Sequence, residues 1–360
     1  VWNLVRNRET GESFHITDKP RSESVRVPTI FDWAREKDLP TAAFFWPETK
    51  DDTSINFNVP EVFKSEGDGD INAVAASLIQ ELNDVGIPIE LYFKWYPVQY
   101  LRPAGDIVLA RAAAHAIKRY RPAVLAIHLQ STDVLQHAYG AADYMSHQAL
   151  TVTDHCVGII RESVDGAGIS DETVLIVTGD HGFVTVEYNL NLWPLFEPLG
   201  DKVRLSPQGW ALFIEKTDQF SPGSDDALLK KTLDKVKNLE GIQDIFDSDQ
   251  YPELGLPTYE ENVLIPGQYL VVGNVENHLR ADPKQPLGRV RKDQPYHGHG
   301  YLPEHPSMQV GFVAAGSGIR SGVQVGPVRG IDVTPTIAHL LGLDAEGVEG
   351  RVLTEILESH

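Results

Sequence analysis

Four short runs of almost uninterrupted apolar residues constrain this chain most: Thr41-Ala-Ala-Phe-Phe-Trp46, Ala123 to Leu129, Thr173-Val-Leu-Ile-Val-Thr178 and Met308 to Ala315. Strands of this kind have no polar face to turn to water, so both faces must be covered, which is the situation of a parallel sheet between layers of helix. The first three runs each follow a helical pattern, over Thr29 to Lys37, Asp106 to Tyr120 and Tyr144 to Val164. In the second pattern Ile107, Ala110, Ala114, Ile117 and Tyr120 share one face. A last helix is expected from Ile331 to Leu341, stopped by Gly342.

Between the third and fourth runs the pattern changes. Strand Trp210 to Ile214, helix Ala227 to Leu239 and strand Gln268 to Val272 read as a small α+β subdomain. The expected fold class is therefore α/β, a mostly parallel central sheet with helices on both faces plus that insert. The corresponding division is 1–204 for the first part of the core, 205–290 for the inserted cap and 291–360 for the last part. A chain of 360 residues is long enough for such a domain.

Charge and cysteine content narrow the chemistry. The formal net charge of −20 argues against a nucleic-acid duplex as partner, since duplex binding rests on clustered Lys and Arg. Cys156 is the single cysteine, so no internal disulfide and no thiolate cluster can form, and any metal must be held by His and carboxylates. No apolar stretch approaches the about 18 to 20 residues that span a bilayer, so the chain reads as soluble, with no membrane span. It opens Val1-Trp2-Asn3 with neither an initiator Met nor a leader pattern and reads as a chain whose true start is absent, which leaves localisation undetermined. Nothing in the pattern sets an oligomeric state.

In open α/β sheets ligands bind at the carboxyl ends of the strands, so polar residues just after each apolar run are the candidates. Three places have them. The run ending near Leu129 continues Gln-Ser-Thr-Asp133-Val-Leu-Gln-His137; if the chain turns helical there, Asp133 and His137 share one face and can grip one cation. The bland reading is a surface i,i+4 pair. The third run ends Thr178-Gly-Asp180-His181-Gly182-Phe183, an acid and an imidazole between turn-permitting glycines, against the alternative of a capped turn. The third place is Tyr296-His-Gly-His299-Gly-Tyr-Leu-Pro-Glu-His-Pro-Ser-Met308, where His297, His299 and His305 compete for one role and a loop of solvated histidines is the alternative. Carboxylates and imidazoles together suit zinc or a similar cation better than magnesium. Two such ions a few ångströms apart serve phosphoryl or sulfuryl transfer.

In order, these motifs and Gly330-Ile-Asp-Val-Thr-Pro-Thr-Ile-Ala-His-Leu-Leu-Gly342 resemble the alkaline phosphatase superfamily, in particular the type I phosphodiesterase/nucleotide pyrophosphatase group. The resemblance covers nearly the whole chain and includes Phe44-Phe-Trp-Pro47. It implies two divalent metal ions, zinc with Mn or Fe as alternatives: one held by Asp133, His137 and His299, the other by Asp180 and His181. His299 is preferred to His297 because its His-Gly-Tyr context matches the family. It further implies one more Asp ligand and a Thr or Ser nucleophile that opens a helix, neither of which is found here; Thr29 reads as a helix-start residue instead. Asn3 matches the family's phosphate-oxygen contact. The implied function is hydrolysis of phosphate esters or anhydrides in a small substrate, through a nucleophile missing from this chain. A phosphomonoesterase, a phosphonoacetate hydrolase and a non-catalytic metal-binding pseudoenzyme are the alternatives.

Overall fold

The computed structural model describes residues 4–62 and 70–358, and the chain divides into two compact units: His15–Asp180 with Val310–His360, and Val1–Phe14 with His181–Gln309.

The first is an α/β unit. Strands Thr41–Trp46, Phe57–Pro60 and Val124–Ile127 run parallel with Thr41–Trp46 in the middle, and Val174–Thr178 pairs antiparallel with Phe312–Gly316 in a second sheet. The central strand shows why its sequence had to be apolar throughout. Ala42 and Phe44 point into one core with Leu82, Tyr92, Leu109 and Ala113, whereas Ala43 points into another with Phe31, Trp33, Val124 and Ala338. Helices Ala76–Asp84, Glu90–Trp95 and Arg102–Tyr120 supply the first core and helices Ile30–Glu36 and Val333–Leu340 the second, so both faces are covered. At Phe45 the register slips against the neighbouring strand and φ is +53°, which turns this side chain into the same core as Phe44, edge-on to Tyr92.

Several boundaries moved. The helix expected from Asp106 begins at Arg102, because Pro103 sits in its first turn, where a missing N–H costs nothing. Its burial is also broader than one stripe. Alanines at 110, 112, 113, 114 and 116 let it pack closely against the Tyr144–Ala167 helix as well as the sheet. The Tyr144 helix starts on an Asp143 cap and runs on to Ala167, where Gly168 takes a left-handed conformation. The strand expected from Met308 begins only at Phe312, since Pro306–Met308 form a 3-10 turn. The last helix opens with a 3-10 turn, Gly330–Asp332, and continues as Val333–Leu340, with Gly342 at φ +63° beyond it. Thr29 is the N-cap of Ile30–Glu36, its N–H and hydroxyl both donating to the Asp32 carboxylate at 2.7 and 3.0 Å.

The second unit holds two sheets. In one, all antiparallel, the order is Ile242–Asp247, Tyr269–Gly273, Ala211–Lys216, Val203–Gln208, and helix Ser224–Lys237 lays Leu229 and Val236 against Leu212, Ile214 and Val271. In the other, Val184–Asn191 lies between Asn277–Arg280, parallel to it, and Gly288–Gly298, antiparallel to it. Residues 205–290 fall inside this unit.

Candidate metal centre

In the α/β unit the strand Val124–Ile127 leads through His128, Leu129 and Gln130 into helix Ser131–Tyr139, so the DxxxH spacing is indeed helical. The helix start is held from outside. Asp106, fully buried on the Arg102–Tyr120 helix, accepts the N–H groups of Gln130 at 3.3 Å and Ser131 at 2.9 Å, doing for a neighbouring helix what an N-cap side chain does for its own. Burial pushes the Asp106 carboxyl up to about 6 even though these bonds pull the other way. Once the helix is in place, Asp133 Oδ1 and His137 Nε2 stand 3.4 Å apart, both half-exposed. With Zn–N and Zn–O bonds near 2.1 Å, two ligands of one tetrahedral ion lie about 3.4 Å apart, so this pair fits a divalent cation.

Behind the same strand exit lies a polar network that the sequence reading missed. Glu61, 6% exposed, follows the Phe57–Pro60 strand and accepts from Gln130 Nε2 at 2.8 Å. Gln130 Oε1 in turn accepts from Tyr96 OH at 2.9 Å and Arg102 Nη1 at 3.1 Å, and the Arg102 guanidinium lies over the Tyr96 ring and donates to its carbonyl. Burial pushes the Glu61 carboxyl up to about 7. His128 stands between two acids, its Nδ1 3.9 Å from Glu61 Oε2 and its Nε2 3.9 Å from Asp180 Oδ2, at the end of the Val174–Thr178 strand.

In the second unit the rings of His181 and His299 stack at 3.5 Å, nearly parallel, with Phe183 5.4 Å from His299. The glycine after His181 is required by a close approach. Gly182 donates its N–H to the Met308 carbonyl, and a Cβ there would lie 1.9 Å from the Ser307 carbonyl oxygen. The three competing histidines have separate surroundings. His299 is on His181, His297 Nδ1 is 3.0 Å from Thr185 Oγ1, and His305 Nδ1 accepts the Ser307 N–H at the start of the 3-10 turn. Asn3 lies outside the described residues.

The α/β unit, with Asp133 and His137 following the strand Val124–Ile127 and Asp180 following Val174–Thr178, defines this chain's class, that of α/β proteins, in which the carboxyl ends of the strands are the usual place for ligands. Its family follows from comparison. The family described as type I phosphodiesterase / nucleotide pyrophosphatase matches residues 1–269, and the chain belongs to it. Ectonucleotide pyrophosphatase/phosphodiesterase family member 7 from Homo sapiens is 22% identical over 237 residues, which is 66% of this chain and 49% of that protein. The chain thus spans about half the length of the curated relatives it matches. Among solved structures, human ectonucleotide pyrophosphatase / phosphodiesterase 5 has a TM-score of 0.68 at 15% identity, covering 100% of this chain and 83% of its own. Phosphonoacetate hydrolase from Sinorhizobium meliloti 1021, in complex with phosphonoacetate, has a TM-score of 0.63 at 16% identity, covering 91% and 76%. These structural likenesses establish the α/β fold with its parallel sheet and helices. No helix among the described residues is long and apolar enough to cross a membrane.

Proposed function

We propose that this chain carries the metal-binding residues of a two-metal phosphodiesterase or nucleotide pyrophosphatase, acting on a small phosphate-containing substrate. One cation is assigned to Asp133, His137 and His299 and the other to Asp180 and His181, with zinc as the metal and Mn or Fe as substitutes. The observation that carries this reading is the Asp133–His137 pair, whose 3.4 Å separation on one helix face is what two ligands of one ion require. Family membership supports the substrate class, as does a neighbouring solved structure, a murine relative in an inactive form in complex with AMP, of TM-score 0.68. Bound there, the ions would polarise a phosphoryl oxygen and stabilise the leaving oxygen. The cap of residues 205–290 would bear on the leaving group.

No Thr or Ser of this chain is assigned as nucleophile, and Thr29 is occupied as a helix cap. The test is zinc content by mass spectrometry together with hydrolysis of chromogenic phosphodiester, phosphomonoester and phosphonate substrates. Bound zinc that is lost in Asp133→Asn and His137→Ala, with weak turnover that favours the diester, is the expected result. A chain free of zinc would sink the metal assignment. Turnover at the rates usual for enzymes, roughly 1–1000 per second, would show that a nucleophile does lie among these residues.

A further inference from the structure

We propose that His128 is a further ligand of the cation at Asp180, binding through Nε2, with Glu61 as the buried carboxylate that holds its other ring nitrogen. The inference rests on the metal-binding reading above and adds to it a ligand and a supporting shell, all within the α/β unit.

The argument starts from distances that do not make hydrogen bonds. His128 Nε2 and Asp180 Oδ2 are 3.9 Å apart, beyond the 3.2 Å reach of an N–H···O bond. Two donors on one tetrahedral zinc are separated by about 3.4 Å, so the gap closes around an ion with side-chain shifts of a few tenths of an ångström. On the far side of the ring, Glu61 Oε2 lies 3.9 Å from Nδ1. An imidazole that binds a metal through one nitrogen commonly gives its other N–H to a carboxylate, which fixes the tautomer and raises the ring's basicity.

The cost of placing Glu61 supports the same reading. Leaving a carboxylate 6% exposed is expensive unless it has partners, and here they are built in tiers: Gln130 donates to Glu61, and Tyr96 and Arg102 donate to Gln130. The Gln130 amide makes its better bond to Glu61, 2.8 Å against 3.5 Å to His128 Nδ1, and the 3.9 Å from Nδ1 to Glu61 Oε2 must close by about 0.7 Å, a side-chain shift like the one on the metal side, for Nδ1 to donate to it. Glu61 and Gln130 thus stand on the Nδ1 side of the ring, and Nε2 lies 3.9 Å from Asp180 Oδ2.

The experiment uses the whole chain with zinc alone as the probe, measuring affinity by chelator competition and the ligand set from the visible spectrum and X-ray absorption of the cobalt(II) form. Asp180→Asn, His128→Ala, His128→Gln and Glu61→Gln are compared, with circular dichroism to confirm folding. The expected results are loss of the ion from Asp180→Asn, one fewer imidazole on cobalt in both His128 variants, and zinc binding about 10–100-fold weaker in Glu61→Gln. Unchanged affinity and cobalt spectrum in the His128 variants, with loss in Asp180→Asn, would overturn this inference and leave the metal reading standing. If Asp180→Asn also keeps its metal, the metal reading itself falls. A normal Glu61→Gln variant would remove the supporting role from Glu61.

Discussion

At the scale of single residues, what surrounds the candidate site is set by close approach and by burial. Gly182 sits between the His181 ring and Phe183 with no space for a methyl group, so Gly182→Ala must displace the Pro306–Met308 turn. The expected cost is about 1–3 kcal/mol in urea unfolding, in the range of forced overpacking, with weakened zinc binding beside it. Asp106 makes a prediction about pH. Burial raises its pKa in the folded chain to about 6 from the ordinary aspartate value of 3.8, so across that window the folded chain keeps a proton that the unfolded chain has released, and stability falls as pH rises. Asp106→Asn should flatten that slope between about pH 4 and pH 6 while lowering stability by about 1–3 kcal/mol, since the amide can accept only one of the two backbone N–H bonds. Equal slopes in both proteins would exclude Asp106 as the titrating group. His128 was within reach of the sequence, as the one imidazole inside the apolar run Ala123 to Leu129. Glu61 was not, because the strand before it, Phe57-Asn-Val-Pro60, is four residues long, contains a proline and has no apolar run.

Elements were legible to the extent that burial leaves a pattern in the residues. Thr41–Trp46 was found with its correct ends because both its faces are buried, and the helices expected over 29–37 and 144–164 are present as Ile30–Glu36 and Tyr144–Ala167, with ends that moved because caps rather than periodicity set them. Gly288–Gly298 was missed because it is an edge strand, mostly polar and exposed, with Pro295 at its irregular middle. The slip at Phe45 left no trace in the sequence either, since a positive φ is seldom carried by an aromatic residue. Phe45→Ala should cost about 3–5 kcal/mol by emptying the site against Tyr92, Phe93 and Tyr96. Phe45→Gly should be no worse than the alanine, because glycine takes that backbone conformation without a Cβ clash. A glycine variant clearly less stable than the alanine one, by chemical unfolding, would mean that φ relaxes in solution.

For the whole molecule the expectation is linkage between metal and stability. An ion that binds only the folded chain adds about 2.7 kcal/mol at a hundred times its Kd. Zinc should therefore raise the thermal midpoint, a chelator should reverse the rise, and Asp133→Asn should blunt it; a midpoint indifferent to zinc would count against a folded metal site. By itself the sequence determined the α/β class, the family and the residue types available to a metal, because apolar runs, periodicity and motif order are local properties of the chain; that the DxxxH segment is helical was settled by the structure. The tertiary structure alone decided that Asp106 caps a helix other than its own, that His299 rather than His297 lies on His181, and that Glu61, Gln130 and Arg102 converge behind His128. Those relations join residues far apart in the chain, and only packing brings them within hydrogen-bonding range.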